Sequence, residues 1–356
     1  HLVTLVGAGG CGKTRLALAI GEELTRSAPN GVAFVPLAPL TEPDLLLSTI
    51  ARALDVSESG TYALLDLLIE ALRNHPLLLV LDNFEQLLPA APLVSDLLTA
   101  CPTLSMLVTS RITLGLSGEQ RVPVRPLVVP EAGPALPAAD AARFDAVQLF
   151  VTRAQASEPG FTLTDTNAGL VAEICRQLDG LPLAIELAAA RVAALPPVTL
   201  LDRLERRLHL LTGGPQDAPP RLRTMRDAIA WSYDLLSPSE QAFFRGLAVF
   251  TGGFTLPAAE AIAEATGTPQ DEAVDRVAGL VNASLMQPLE GLEGHPRYQL
   301  LETVREFGLE QLRAAGDETR LRDAHLAWVL TFVERTGSLT HGPVARIGLD
   351  QLAHEH

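Results

Sequence analysis

Apolar positions keep one rhythm up to about residue 130 and another beyond it. In the first stretch, short apolar runs alternate with segments of helical period. Leu2 to Val6, Gly31 to Leu37, Leu77 to Leu81, Leu104 to Thr109 and Val122 to Val129 read as strands, and Thr41 to Leu54 and residues 84 to 99 as helices between them. Strands alternating with helices in this way predict a parallel α/β sheet.

Residues 130 to 139, rich in Pro, Ala and Gly, read as a linker, and a helical module follows. Its helices are expected at 142 to 156, 166 to 178, 182 to 194, 199 to 211, 224 to 236, 257 to 265 and 270 to 283. Gly180 stops the second, and Pro182 opens the third from its first turn. Thr212-Gly213-Gly214-Pro215 through Pro219-Pro220 makes a break. Ser237-Pro238-Ser239-Glu240 is a capping box with proline at the first helical position, and Thr268, three residues before Asp271, is expected to cap the helix that follows. Leu285 to Leu289 and Arg297 to Leu301 flank Glu290 to His295 as a β-hairpin, and helices followed by a hairpin suggest a winged helix. A helix at 302 to 314 and an amphipathic stretch at 317 to 336 end the pattern.

Charge and composition narrow the possibilities. The 356 residues carry a formal net charge of −15, and an acidic body is repelled by phosphate backbones unless a basic face is concentrated somewhere. Residues 221 to 312 hold seven Arg against thirteen Asp plus Glu, so direct nucleic-acid binding by this fragment is not expected. No apolar run is long enough for a membrane span. Cys11, Cys101 and Cys175 are scattered, which offers neither a disulfide framework nor a zinc pattern and suits a reducing cytoplasm. With no initiator Met and no signal segment, the chain reads as an excised fragment.

One basic residue differs from all the others. Lys and Arg total 27, yet Lys13 is the only lysine, and it sits in Gly7-Ala8-Gly9-Gly10-Cys11-Gly12-Lys13-Thr14. That octet is a full phosphate-loop pattern between an apolar strand and a helix start. A compact ammonium on a thin stem fits between β- and γ-phosphate oxygens where a planar guanidinium does not. Gly7-x-Gly9-x-x-Gly12 also satisfies the dinucleotide fingerprint, but that site needs an acidic residue about 20 positions on. The second strand here ends in Pro36-Leu37-Ala38-Pro39-Leu40 instead. A mononucleotide is therefore expected. With no second lysine, an Asn-Lys-x-Asp guanine element cannot exist, and ATP or ADP is favoured.

The expected contacts run from Gly7 through Gly9, Gly10, Cys11, Gly12, Lys13 and Thr14 to Arg15, with backbone N–H groups cradling phosphate and Lys13 neutralising its β/γ oxygens. Thr14 and Asp82, the latter ending Leu77-Leu78-Leu79-Val80-Leu81, are the expected Mg²⁺ ligands. Asp82 could also cap a helix beginning near Phe84, and the two roles are compatible. Arg111, after Thr109-Ser110, is placed at the carboxyl edge of the sheet to sense the γ-phosphate, or else is a solvated surface residue. Glu85 is a candidate water-activating base, although Asn83 occupies the place next to Asp82, so any ATPase activity is expected to be slow. Cys11 invites a redox role through its helix N-terminus, or is a small residue tolerated at a free position. No metal site beyond Mg²⁺ is expected.

Gly7 to Thr14, Leu77 to Glu85, Thr109 to Arg111, Gly180-Leu181-Pro182-Leu183, Arg223 to Leu236 and Leu300 to Phe307 occur in an order that resembles the signal-transduction (STAND) ATPases of the NB-ARC and AP-ATPase type. In particular it resembles the ATPase module of large bacterial transcriptional regulators of the LuxR-like and SARP or AfsR-like kinds. The resemblance implies an α/β P-loop domain over 1 to 130, a helical domain over 140 to 212, a winged helix over 221 to 312 and the start of a tetratricopeptide-like sensor over 313 to 356. It also implies closure over ADP, self-association with ATP and an inducer at a sensor beyond His356. Pro182 would touch the nucleotide, although its position also explains it as a helix opener. Leu301 stands where eukaryotic relatives have a phosphate-binding His. The rival expectations are DNA binding through the winged helix, and a turnover ATPase or small-molecule kinase.

Overall fold

A computed structural model describes residues 1–27, 31–40, 42–56, 63–131, 136–204, 207–214, 223–289 and 296–337. The chain forms two compact units, His1–Arg125 and Pro126–His356.

The first unit is a five-stranded sheet. Its elements run β1 (Leu2–Val6), α1 (Lys13–Ser27), β2 (Val32–Pro36), α2 (Leu46–Ala53), α3 (Leu64–Leu72), β3 (Leu77–Asp82), α4 (Ala91–Ala100), β4 (Leu104–Ser110) and β5 (Glu119–Pro123). The strand order is β2-β3-β4-β1-β5, and every neighbouring pair is parallel. All strand carboxyl ends therefore point to one edge, and the register sets Asp82 beside Thr109 and Leu5 beside Thr109 there. Leu79, Leu81, Met106 and Val108 bury against Ile50, Leu68 and Val94 on one face, whereas Leu5, Val80 and Leu107 meet Ala17 of α1 on the other. Strands with apolar side chains on both faces are the parallel-sheet pattern.

Three details differ from the sequence reading. The last strand begins at Glu119 and stops at Pro123, not at Val129. Val124 still donates its N–H to Val6 O at 2.7 Å, but Pro126 has no N–H to continue a ladder, and Val128 is 66% exposed. The helix expected at 84 to 99 is a 3-10 segment, Phe84–Ala90, bent at Leu87 and carrying Pro89, followed by α4. α3 was not anticipated, because its leucine-rich run hides the helical period; Leu68 and Leu72 form its buried stripe. The start expected at Thr41 lies outside the described residues.

The second unit is helical with a small sheet. It contains α5 (Ala138–Ala141), α6 (Asp145–Ser157), α7 (Ala168–Gln177), α8 (Pro182–Ala189), α9 (Pro197–Arg203), α10 (Arg207–Leu210), α11 (Met225–Asp234), α12 (Pro238–Leu247), β6 (Phe254–Thr255), α13 (Leu256–Thr266), α14 (Ala273–Asn282), β7 (Gln287–Leu289), β8 (Arg297–Gln299), α15 (Glu302–Ala314) and α16 (Glu318–Gly337). The Ser237 to Glu240 capping box is formed on both sides. Thr268 does not cap the next helix. Pro269 leads instead into a 3-10 turn, Gln270–Glu272, and the buried Thr268 hydroxyl lies 3.2 Å from that of Thr266.

β8 pairs antiparallel with both β7 and β6, so α12, α13, α14 and this sheet make a winged helix. β6 was missed because two residues show no period. The hairpin turn at 290 to 295, Pro219-Pro220 and the tail past 337 lie outside the described residues.

α7 ends in two left-handed residues, Asp179 (φ 55°) and Gly180 (φ 64°). A Cβ on Gly180 would sit 2.2 Å from Leu127 O, and Leu127 donates its own N–H to Gly180 O at 2.9 Å. This sharp turn starts α8 at Pro182 and aims the Asp179 carboxylate at the first turn of α15, where it accepts the Thr303 N–H at 3.2 Å. Leu301, at the N-cap of α15, has no side-chain acceptor to offer; Asp179 supplies one from the turn that follows α7.

Candidate functional site

The loop after β1 is shaped by its glycines. Gly12 has φ 99°, which a side-chain-bearing residue rarely adopts. A Cβ on Gly7 would lie 2.6 Å from Val124 O and 2.8 Å from Cys11 Sγ. The loop therefore folds back onto the strand edge, and α1 begins at Lys13 with its N-terminus open to the loop.

Lys13 is only 7% exposed. Its ammonium donates to Gly7 O at 2.7 Å and Ala8 O at 3.0 Å, with Cys11 Sγ at 4.0 Å. Burial pushes its pKa below the ordinary lysine value, as does the nearby Arg111 charge, while Cys11, Glu85 and Asp82 act the other way. Among the described residues no carboxylate is in direct contact with this ammonium, and a buried cation held by carbonyls is an incompletely balanced charge. An anion at the N-terminus of α1 would balance it.

Asp82 at the end of β3 is 5% exposed. Its Oδ1 accepts two hydroxyls, Thr14 at 2.7 Å and Thr109 at 2.6 Å. It does not cap the segment starting at Phe84, whose N-cap position is Asn83, with no side-chain capping bond there. A carboxylate and a threonine hydroxyl side by side are hard oxygen donors suited to Mg²⁺. Among the described residues, no group of three or more His, Cys, Asp or Glu could hold a metal ion.

Glu85 and Arg111 form a buried pair. Arg111 Nε lies 3.2 Å from Glu85 Oε1, with side chains 3% and 0% exposed, so Arg111 is not a solvated surface residue. Asn83 Nδ2 donates to the same Glu85 oxygen at 3.3 Å, and Glu85 Oε2 is buried with no hydrogen-bond partner among the described residues. Gln86 donates to Leu37, Ala38 and Leu40 carbonyls at 2.7, 3.2 and 2.8 Å, tying the segment after β2 to the same sheet edge.

Lys13, Thr14, Asp82, Glu85 and Arg111 thus gather in the first unit at the carboxyl edge of the sheet. Pro182 belongs to the second unit, at the first turn of α8. Sequence reasoning missed Thr109 and Gln86 at this edge and Asp179 beneath α15. Thr109 did carry a signal, a polar residue ending a buried strand beside the one ending in Asp82.

Glycine loop, buried lysine and strand-end carboxylate on this parallel sheet are those of a P-loop ATPase. Residues 1–123 match the family model of an AAA domain, and residues 236–313 that of a winged helix-turn-helix domain. Rv0890c of Mycobacterium tuberculosis, named as an HTH-type transcriptional regulator, is 42% identical over 331 residues, covering 92% of this chain and 36% of its own length. Rv0894 of the same organism, an uncharacterized protein, is 37% identical over 319 residues, covering 89% of this chain and 78% of its own. A Walker-type ATPase of Pyrococcus abyssi shares the fold with a TM-score of 0.53 at 15% identity, covering 87% and 91% of the two chains. The chain belongs to the family of these mycobacterial proteins, combines an ATPase domain with a winged helix-turn-helix domain, and spans about a third of the length of the HTH-type regulator it matches. Among the described residues, no helix is long and apolar enough to cross a membrane.

Proposed function

We propose that the module is an adenine-nucleotide switch within a transcriptional regulator, with an ADP-bound closed state that exchanges to an ATP-bound, self-associating one. The observation that carries this reading is the Lys13 ammonium, buried at a helix N-terminus with carbonyls as its hydrogen-bond acceptors. Backbone N–H groups from Gly9 to Thr14 would hold the phosphates, with Arg15 following in the first turn. Thr14 and Asp82 would hold Mg²⁺, which supplies charge neutralisation between β- and γ-phosphates. Arg111 would exchange Glu85 for the γ-phosphate, giving the ATP and ADP states unequal contacts, as a switch requires.

Slow turnover fits the same geometry, since Glu85, the base candidate, is engaged by Arg111 and Asn83. The winged helix gives DNA binding a structural basis, but the excess of acidic residues over 221 to 312 disfavours a phosphate-contacting face. Light scattering of the full-length regulator in ADP and in a non-hydrolysable ATP analogue tests the proposal. Larger particles only with the ATP analogue are expected; identical masses in both would contradict it. A salt-dependent gel shift by the module alone would favour the DNA reading.

A further inference from the structure

Thr109 is fully buried at the end of β4, and its hydroxyl has two partners of opposite kind. The backbone N–H of Asn83 can only donate, and does so to Thr109 Oγ1 at 2.9 Å. The Asp82 carboxylate can only accept, and lies 2.6 Å away. The single hydroxyl proton must therefore point at Asp82, with a lone pair facing Asn83. The orientation follows from the partners alone.

Both partners are unusual. Asp82 Oδ1 also takes the Thr14 hydroxyl, so two donors from two different elements fix one carboxylate oxygen and leave Oδ2 outside both bonds. Asn83 is left-handed, with φ 67° and ψ 61°, a conformation that needs local support. Its N–H bond to Thr109 gives that support, and its side chain then meets Glu85, which meets Arg111.

We infer that Thr109 is a positioning residue. It locks the carboxylate of Asp82 in the rotamer that receives Mg²⁺, and through Asn83 it links that carboxylate to the Glu85–Arg111 pair. The inference rests on the nucleotide reading above and concerns how the metal end of that site is built. Groups that orient a metal-binding carboxylate change metal affinity about 10- to 100-fold when removed. A threonine kept only for packing would have no such effect.

The test measures ATP and ADP affinity by calorimetry, each with Mg²⁺ and each in EDTA, for the parent, Thr109→Val and Thr109→Ser. The parent should bind more tightly with Mg²⁺. Thr109→Val should lose about tenfold in the Mg²⁺ arm and keep its EDTA affinity, and Thr109→Ser, which retains the hydroxyl, should restore the Mg²⁺ gain. An unchanged ratio between the arms in Thr109→Val would overturn the inference while leaving nucleotide binding intact. Equal losses in both arms, as from misfolding, or a Thr109→Ser protein as impaired as Thr109→Val, would overturn it as well. A parent that binds no nucleotide in either arm would instead bring down the nucleotide reading on which the inference stands.

Discussion

Arg111 Nε lies 3.2 Å from Glu85 Oε1 in a pair almost wholly removed from solvent. Two charges taken from water repay their desolvation only by holding each other, so losing one partner costs far more than losing both. Arg111→Met should destabilise the first unit by about 3 kcal/mol, whereas Glu85→Leu combined with Arg111→Met should recover most of that loss. Urea unfolding checks this, and equal stabilities for single and double variants would count against it.

Asp179 sets up a pH dependence of defined sign. Burial pushes its carboxyl from 3.8 up to about 6, against the pull of the Glu302 and Thr303 N–H groups and of Arg207, with Glu302 adding to the rise. A carboxyl whose folded pKa is raised favours the fold when protonated. Its contribution is fully present below about 3.8 and lost as pH rises through about 6. Asp179→Asn mimics the neutral form and tolerates the left-handed backbone. Relative to this variant, the parent should lose about 2 kcal/mol between pH 4 and pH 7. Denaturant melts across that range measure the difference, and a flat difference would refute it.

Gly180 should accept no side chain. Its left-handed φ and the 2.2 Å approach of a Cβ to Leu127 O act together, so Gly180→Ala should cost about 2 to 4 kcal/mol. Gly169→Ala, in α7 with open space around its Cβ, is the control and should be near neutral or stabilising. Thermal unfolding separates the two; similar melting temperatures would contradict this account.

Much of the architecture was legible because it rests on local rules. Buried strands β1, β3 and β4 announce themselves as apolar runs, and the Ser237–Glu240 box and Pro182 mark helix starts by their own chemistry. Gly7 to Thr14 carries its spacing on its face. What escaped depends on partners distant in sequence. The leucines of α3 acquire a face only when Leu68 and Leu72 meet the sheet, and β6 is a strand only because Tyr298 and Arg297 pair with it. The Arg111–Glu85 pair spans two strand ends, and the Asp179–Thr303 bond spans 124 positions. Neither pairing has a local pattern, since nothing near either residue in the sequence names its partner.

The proposed nucleotide switch depends most directly on Lys13. Calorimetric titration of ATP and ADP into the parent and into Lys13→Ala, with both proteins shown to be folded by their melting curves, tests it. Lost contacts to the β- and γ-phosphates should weaken binding by at least about a hundredfold, an effect of roughly 3 kcal/mol expected for a desolvated, charge-assisted hydrogen-bonding group. A folded Lys13→Ala protein that binds both nucleotides as tightly as the parent would contradict the account.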